Sequence, residues 1–116
     1  MDNASPYNLF GYPEPEGLSS RGKTARKVIL KVAKEYGLSY TGGCTPFYSP
    51  KEWKERGERY GTESLLIACH DGGDLSAFFC PYEASETLAE ALRMALAEKG
   101  LFFENCTGWY TAIYEA

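Results

Sequence analysis

One histidine and four cysteines hold most of the reactive chemistry open to this chain. His70 stands in Cys69-His70-Asp71-Gly72-Gly73-Asp74, and Cys44 follows Gly42-Gly43. A thiol activated by an imidazole that a carboxylate orients is the nucleophilic arrangement these residues would build. Cys44 would be the nucleophile, His70 the base, and Asp71 or Asp74 the orienting group. Nothing in the spacing brings Cys44 to His70, and a histidine at a strand end more often hydrogen-bonds locally. Asp71 and Asp74 flank two glycines, which is ordinary turn chemistry and outweighs a cation site. The cysteines at 44, 69, 80 and 106 are separated by 25, 11 and 26 residues. Structural zinc sites use closely spaced pairs, and adjacent Cys69 and His70 on a strand point to opposite faces. No metal and no cofactor are expected, and the cysteines read as small buried thiols.

Gly17-Leu18-Ser19-Ser20-Arg21-Gly22-Lys23-Thr24 fits the phosphate-loop pattern G-x-x-x-x-G-K-[ST]. Such a loop needs a buried strand before it. Here Tyr12-Pro13-Glu14-Pro15-Glu16 precedes it, and prolines with glutamates do not make a central strand. The segment reads as a flexible Gly/Ser loop before a basic helix, with no nucleotide bound.

The elements that must position these residues are legible from periodicity. A helix is expected over Lys23–Tyr36, with Ala25, Val28, Ile29, Val32, Ala33 and Tyr36 on one face and Lys23, Lys27, Lys31 and Lys34 on another. A short strand over Leu38–Thr41 follows. Ser49, Pro50 and Glu52 make a capping box with a helix-starting proline, and that helix should stop near Gly57 or Gly61. Ser64–His70 is apolar at nearly every position, as a central strand covered on both faces would be. Leu75–Cys80 then pairs back as a strand or forms a loop ended by Pro81. Ser85 caps a helix over Glu86–Lys99, with Leu88, Ala91, Leu92, Ala95 and Leu96 as its core stripe. Leu101–Phe103 and Trp109–Tyr114 close the chain as a hairpin.

The whole reads as α+β: a two-layer sandwich of about three helices on a mainly antiparallel sheet of four to five strands. Residues 1–20, with Pro6, Pro13 and Pro15, form an extended arm, and 21–116 form one domain. No apolar run approaches a membrane span. No secretory pattern opens the chain, so reduced thiols in a cytoplasmic protein are expected.

Net charge is −4, but residues 1–61 carry +3 and residues 62–116 carry −7. A whole-surface attraction to nucleic acid is therefore not expected, while the basic helix face could meet an acidic partner. Two Trp, nine Tyr and six Phe are more aromatic rings than a 116-residue domain can bury. Tyr and Trp favour interfaces. Tyr110 and Tyr114 share one face of the last strand, opposite Trp109. That strand is terminal and reads as an exposed sheet edge, with Phe10 and Tyr12 of the arm beside it. A protein partner or self-association through these rings is the leading expectation, with Lys27, Lys31 and Lys34 as a second contact.

The tail, with Cys69-His70-Asp71-Gly72-Gly73-Asp74, Phe78-Phe79, Gly100-Leu101 and Cys106 through Tyr114, resembles small uncharacterised proteins of bacterial mobile elements. The resemblance covers about half the chain and brings no active site. It implies a plasmid or phage setting, in which a small acidic protein would act as a non-catalytic inhibitor of a host defence system. The alternative is a small cytosolic enzyme built on Cys44 and His70.

Overall fold

Residues 8–80 and 85–116 are described by a computed structural model. Its centre is strand β2 (Leu66–Cys69), every residue of which is buried. Strand β1 (Phe47–Tyr48) pairs on one side of it. On the other side lies β4 (Tyr110–Glu115), which in turn pairs with β3 (Leu101–Asn105). All three pairings are antiparallel. Register sets Ile67 opposite Ala112 and Ala68 opposite Thr111, so side chains alternate cleanly between two faces.

The first face carries Phe47, Leu66, Ala68, Leu101 and Ile113. Helices α1 (Ser20–Glu35) and α4 (Glu86–Ala97) cover it, with a one-turn helix α3 (Ser76–Phe79) at one end. The stripe Ala25, Val28, Ile29, Val32 and Ala33 buries one side of α1, and Ala89, Leu92 and Leu96 do the same for α4. The second face carries Ile67, Cys69, Tyr110 and Ala112, and a single large side chain fills it: Trp53 of α2 (Pro50–Glu55). The expected capping box starts α2, with Ser49 Oγ accepting from Glu52 N at 3.1 Å and Glu52 Oε1 accepting from Ser49 N at 3.0 Å. Among the described residues four α-helices, one a single turn, thus pack on a four-stranded antiparallel sheet, the two-layer α+β arrangement expected.

Four local expectations fail for identifiable reasons. Helix α1 begins at Ser20, because the Ser19 hydroxyl accepts from Gly22 N at 3.0 Å and caps it there. The segment Gly17–Thr24 is therefore not a flexible loop. Gly22 is buried in the first turn, where a Cβ would come within 2.6 Å of the Leu65 carbonyl oxygen. Its glycine serves close helix–strand packing. Leu38–Thr41 is not a strand, since β1 takes the place beside β2. Tyr40 makes an isolated bridge to Asn8 instead. Leu75–Cys80 forms the helical turn α3, and Pro81 lies outside the described residues. The last strand is not a sheet edge: β4 is interior, and the edges are β1 and β3.

Residues 1–7 of the expected arm lie outside the described residues, and the rest is packed down. Leu9 is fully buried in a 3-10 turn (Leu9–Gly11), and its N–H donates to Ser39 O at 2.7 Å.

Gly22→Ala should destabilise the protein by about 1–3 kcal/mol in urea unfolding, because backbone must move to admit the methyl group. Lys23→Ala, one residue on and exposed, should change stability by no more than about 0.5 kcal/mol. Equal, small effects would show that the helix does not depend on this close approach.

Candidate functional site

His70 follows β2 and directs its ring to the helix-covered face. It is 1% exposed, and its ring centroid lies 5.5 Å from that of Phe79. Nε2 lies 3.1 Å from the hydroxyl of buried Thr111, and that hydroxyl donates to Asn105 Oδ1 at 2.7 Å. Since the single hydroxyl proton goes to Asn105, Nε2 carries the ring proton and donates to Thr111. Nδ1 is left as a buried acceptor with no hydrogen-bond partner. Burial pushes the His70 pKa down to about 4, against a smaller opposing pull from Asp71. The relay ends at exposed Asn105, on the wall of a cleft of about 350 Å³ that Phe79, Cys80, Arg93 and Phe103 also line.

Cys44 lies elsewhere. It packs against the second-face cluster, on the opposite side of the sheet from the His70 ring. Its thiol donates to Thr41 O at 3.0 Å, and burial raises its pKa. Raised thiol pKa is the reverse of what a nucleophile needs. The Cys44–His70 pair of the alternative reading is therefore not assembled, because Cys44 lies in the loop before β1 on the second face while the His70 ring packs by Phe79 on the first. Asp74 does not orient His70 either. Its carboxylate accepts from Ser39 N at 2.8 Å and Tyr40 N at 2.9 Å, pinning the segment before Cys44. Asp71 is exposed in the turn. Cys69 is pushed up to about 12 by burial. Among the described residues no three His, Cys, Asp or Glu side chains cluster closely enough to hold a metal ion.

The aromatic residues form the more organised surface. Trp53 is fully buried and donates from Nε1 to Tyr60 O at 2.9 Å. Tyr48, Trp109 and Tyr110 surround it with ring centroids 5.1, 5.9 and 4.8 Å away. The Arg56 guanidinium lies 4.8 Å from the Trp53 ring centre and 4.9 Å from that of Tyr48. It donates to the Tyr48 hydroxyl at 2.8 Å and pairs with Glu58 at 3.3 Å. The outer rim stays open: Tyr60 is 61% exposed, Phe102 43% and Trp109 37%. Tyr60, Arg59, Glu58, Thr107, Trp109 and Tyr110 line a cleft of about 390 Å³. Tyr114 is half-buried and stacks on Phe102 with centroids 5.6 Å apart.

Of the expected contact residues, Trp109 and Tyr114 reach this rim, while Tyr110 is 2% exposed and belongs to the core. Phe10 packs against the opposite core. Tyr12 sits by β1, its carbonyl receiving Arg26 Nη2 at 3.1 Å. Neither joins the tyrosine patch, because the arm runs along the helix side and the β1 edge. Lys27, Lys31 and Lys34 are exposed on α1. Tyr48, Trp53, Arg56 and Tyr60 were not singled out by sequence. Their available signal was a tryptophan and an arginine three apart on a short, otherwise charged helix.

His70 makes acid stability testable. Its folded pKa, about 4, lies below the ordinary 6.5. The unfolded chain therefore binds the proton more tightly, and protonation favours unfolding. The contribution is fully present above pH 6.5 and is lost as pH falls towards 4. Its full size is roughly 3 kcal/mol. His70→Gln keeps an N–H donor for Thr111 without a titrating ring, and should flatten the stability profile between pH 4 and 6.5 relative to wild type. Superimposable profiles would show that His70 does not titrate with folding.

Comparison with protein-family models, with curated proteins and with solved structures finds no match to this chain, so the geometry of its own surface carries the functional reading.

Proposed function

We propose that this chain is a non-catalytic protein-binding module, and that its contact surface is the aromatic rim on the second face of the sheet. The carrying observation is the preformed cleft between Tyr60 and Trp109, floored by Tyr110 and backed by fully buried Trp53. Rigid aromatic rings with polar tips give large contact area at low entropic cost. Arg56, held by two rings and Glu58, adds a donor group already in place. Pre-organisation of this kind lowers the cost of association. The separation of Cys44 from His70 favours binding over a thiol–imidazole reaction. An inhibitor of a host defence system, encoded by a plasmid or phage, is the setting that the resemblance of the tail supports. The same reading takes the protein to act in the cytoplasm.

The test contrasts rim with core. Tyr60→Ala combined with Trp109→Ala should leave the thermal melt nearly unchanged, yet abolish retention of a specific protein from a bacterial lysate. A truncated hot-spot ring costs about 2 kcal/mol or more in binding. Tyr110→Ala should instead lower folding stability by about 3 kcal/mol, as large core truncations do. Capture that is identical for wild type and the rim variant, measured by quantitative mass spectrometry, would sink the proposal.

A further inference from the structure

The solvent face of the helix layer carries two charge stripes of opposite sign. The Arg21 guanidinium donates to the Lys99 carbonyl and its Nε pairs with Glu115 at 3.0 Å. The start of α1 is thereby held beside the end of α4, so the two neighbouring helices run antiparallel. At about 100° per residue, Lys23, Lys27, Lys31 and Lys34 fall within an arc of roughly 80°, directly away from the buried stripe. All four are exposed. On the exposed side of α4 and its C-cap, Glu86, Glu90, Met94 and Glu98 fall within an arc of roughly 120°, with Glu86 at its lateral edge and Met94 63% exposed. Among the described residues, Lys27, Lys31, Lys34, Glu86 and Glu98 make no ion pair. Lys23 pairs at 3.9 Å with Glu14, and Glu90 at 3.9 Å with Arg93 on its own helix.

The rise of about 1.5 Å per residue fixes the levels of these charges. Counting from the Arg21–Lys99 contact, Lys34 lies level with Glu86, while Lys31 and Lys23 come within one residue, about 1.5 Å, of the levels of Glu90 and Glu98. Lys27 comes within one residue of the level of Met94. A two-fold axis parallel to the helices would lay α1 of one copy over α4 of the other, and the reverse. Lys23, Lys31 and Lys34 then each meet a carboxylate, and the aliphatic stem of Lys27 covers Met94. A polyanion fits the same surface poorly. Adjacent packed helices lie about 8–10 Å apart, about one Debye length at ordinary salt, so the α4 carboxylates would repel phosphates laid along α1.

We infer that the helix layer is an isologous interface, and that its occupant is a second copy of this chain. The layer measures roughly 24 by 20 Å, which buries on the order of 1,000 Å² in total, the low end for specific association. Charge sets register and specificity, and the affinity is weak and salt-dependent. The surface lies on the opposite side of the sheet from the aromatic rim, so the inference stands whether or not that rim binds a partner.

Sedimentation equilibrium over a protein dilution series should show a monomer–dimer equilibrium at 50 mM salt that shifts to monomer at 500 mM. Lys31→Glu should weaken the dimer by about tenfold, since each substitution acts twice across the two-fold axis. Lys31→Glu combined with Glu90→Lys should restore wild-type association, because the pair is re-formed with its signs exchanged. A thermal melt checks that each variant is folded, as exposed positions should allow. A monomer at millimolar protein and low salt overturns the inference, and so does a double variant no better than Lys31→Glu. Binding of a single-stranded oligonucleotide by a monomeric chain, lost in Lys31→Glu, would also overturn it and assign the stripe to a polyanion.

Discussion

Burial of β2 on both faces is the constraint from which the rest of the structure follows. Leu66 and Ala68 point one way and Ile67 and Cys69 the other, and none is exposed. A strand buried in this manner needs two covers. The first is generous: α1 and α4 lay two apolar stripes over Leu66, Ala68 and Ile113. The second is a single tryptophan on a six-residue helix, wedged against Ile67 and Tyr110. One indole cannot roof a four-stranded sheet. The rings left around it, Tyr60, Phe102, Trp109 and Tyr114, are therefore half in water, and the open face is a consequence of how small the second cover is.

The same constraint explains which parts of the fold were legible. Ser64–His70 announced a doubly covered strand by its unbroken apolar run, and the stripes of α1 and α4 announced one-sided burial by their spacing. Ser49, Pro50 and Glu52 announced α2 through local chemistry alone. What sequence could not carry was order across the sheet. Nothing in the spacing of Trp109–Tyr114 distinguishes an edge strand from a central one, and β4 pairs with β2 as well as with β3 and lies inside. Tyr110 thus moved from a presumed surface to the core. Strand order is decided by contacts distant in sequence, and periodicity of 2 is the same for edge and centre.

Glycine was legible as punctuation but not as packing. Gly22 looked like part of a phosphate loop, and its function is to let a helix approach the Leu65 carbonyl. Gly42 and Gly73 looked like turn residues. A Cβ on Gly42 would meet Gly72 backbone at 2.4 Å, and one on Gly73 would meet the Thr41 oxygen at 2.5 Å. These two loops press backbone to backbone, and Asp74 holds them together through Ser39 N and Tyr40 N. Asp74, a candidate orienting group, thus fastens the turns around Cys44 and His70. Their types were right for chemistry, but the loop carrying Cys44 covers one face of the sheet while the His70 ring turns to the other.

Charge is arranged by the same geometry. The excess of lysine in residues 1–61 and of acid in residues 62–116 is not a separation of two ends of the molecule. Helix α1 comes from the first half and α4 from the second, and both must cover the same sheet face. Folding brings the basic stripe and the acidic stripe side by side on one surface, with their levels set by the Arg21–Lys99 contact. An asymmetry that looked like two different partners along the chain becomes, once folded, a single surface complementary to itself.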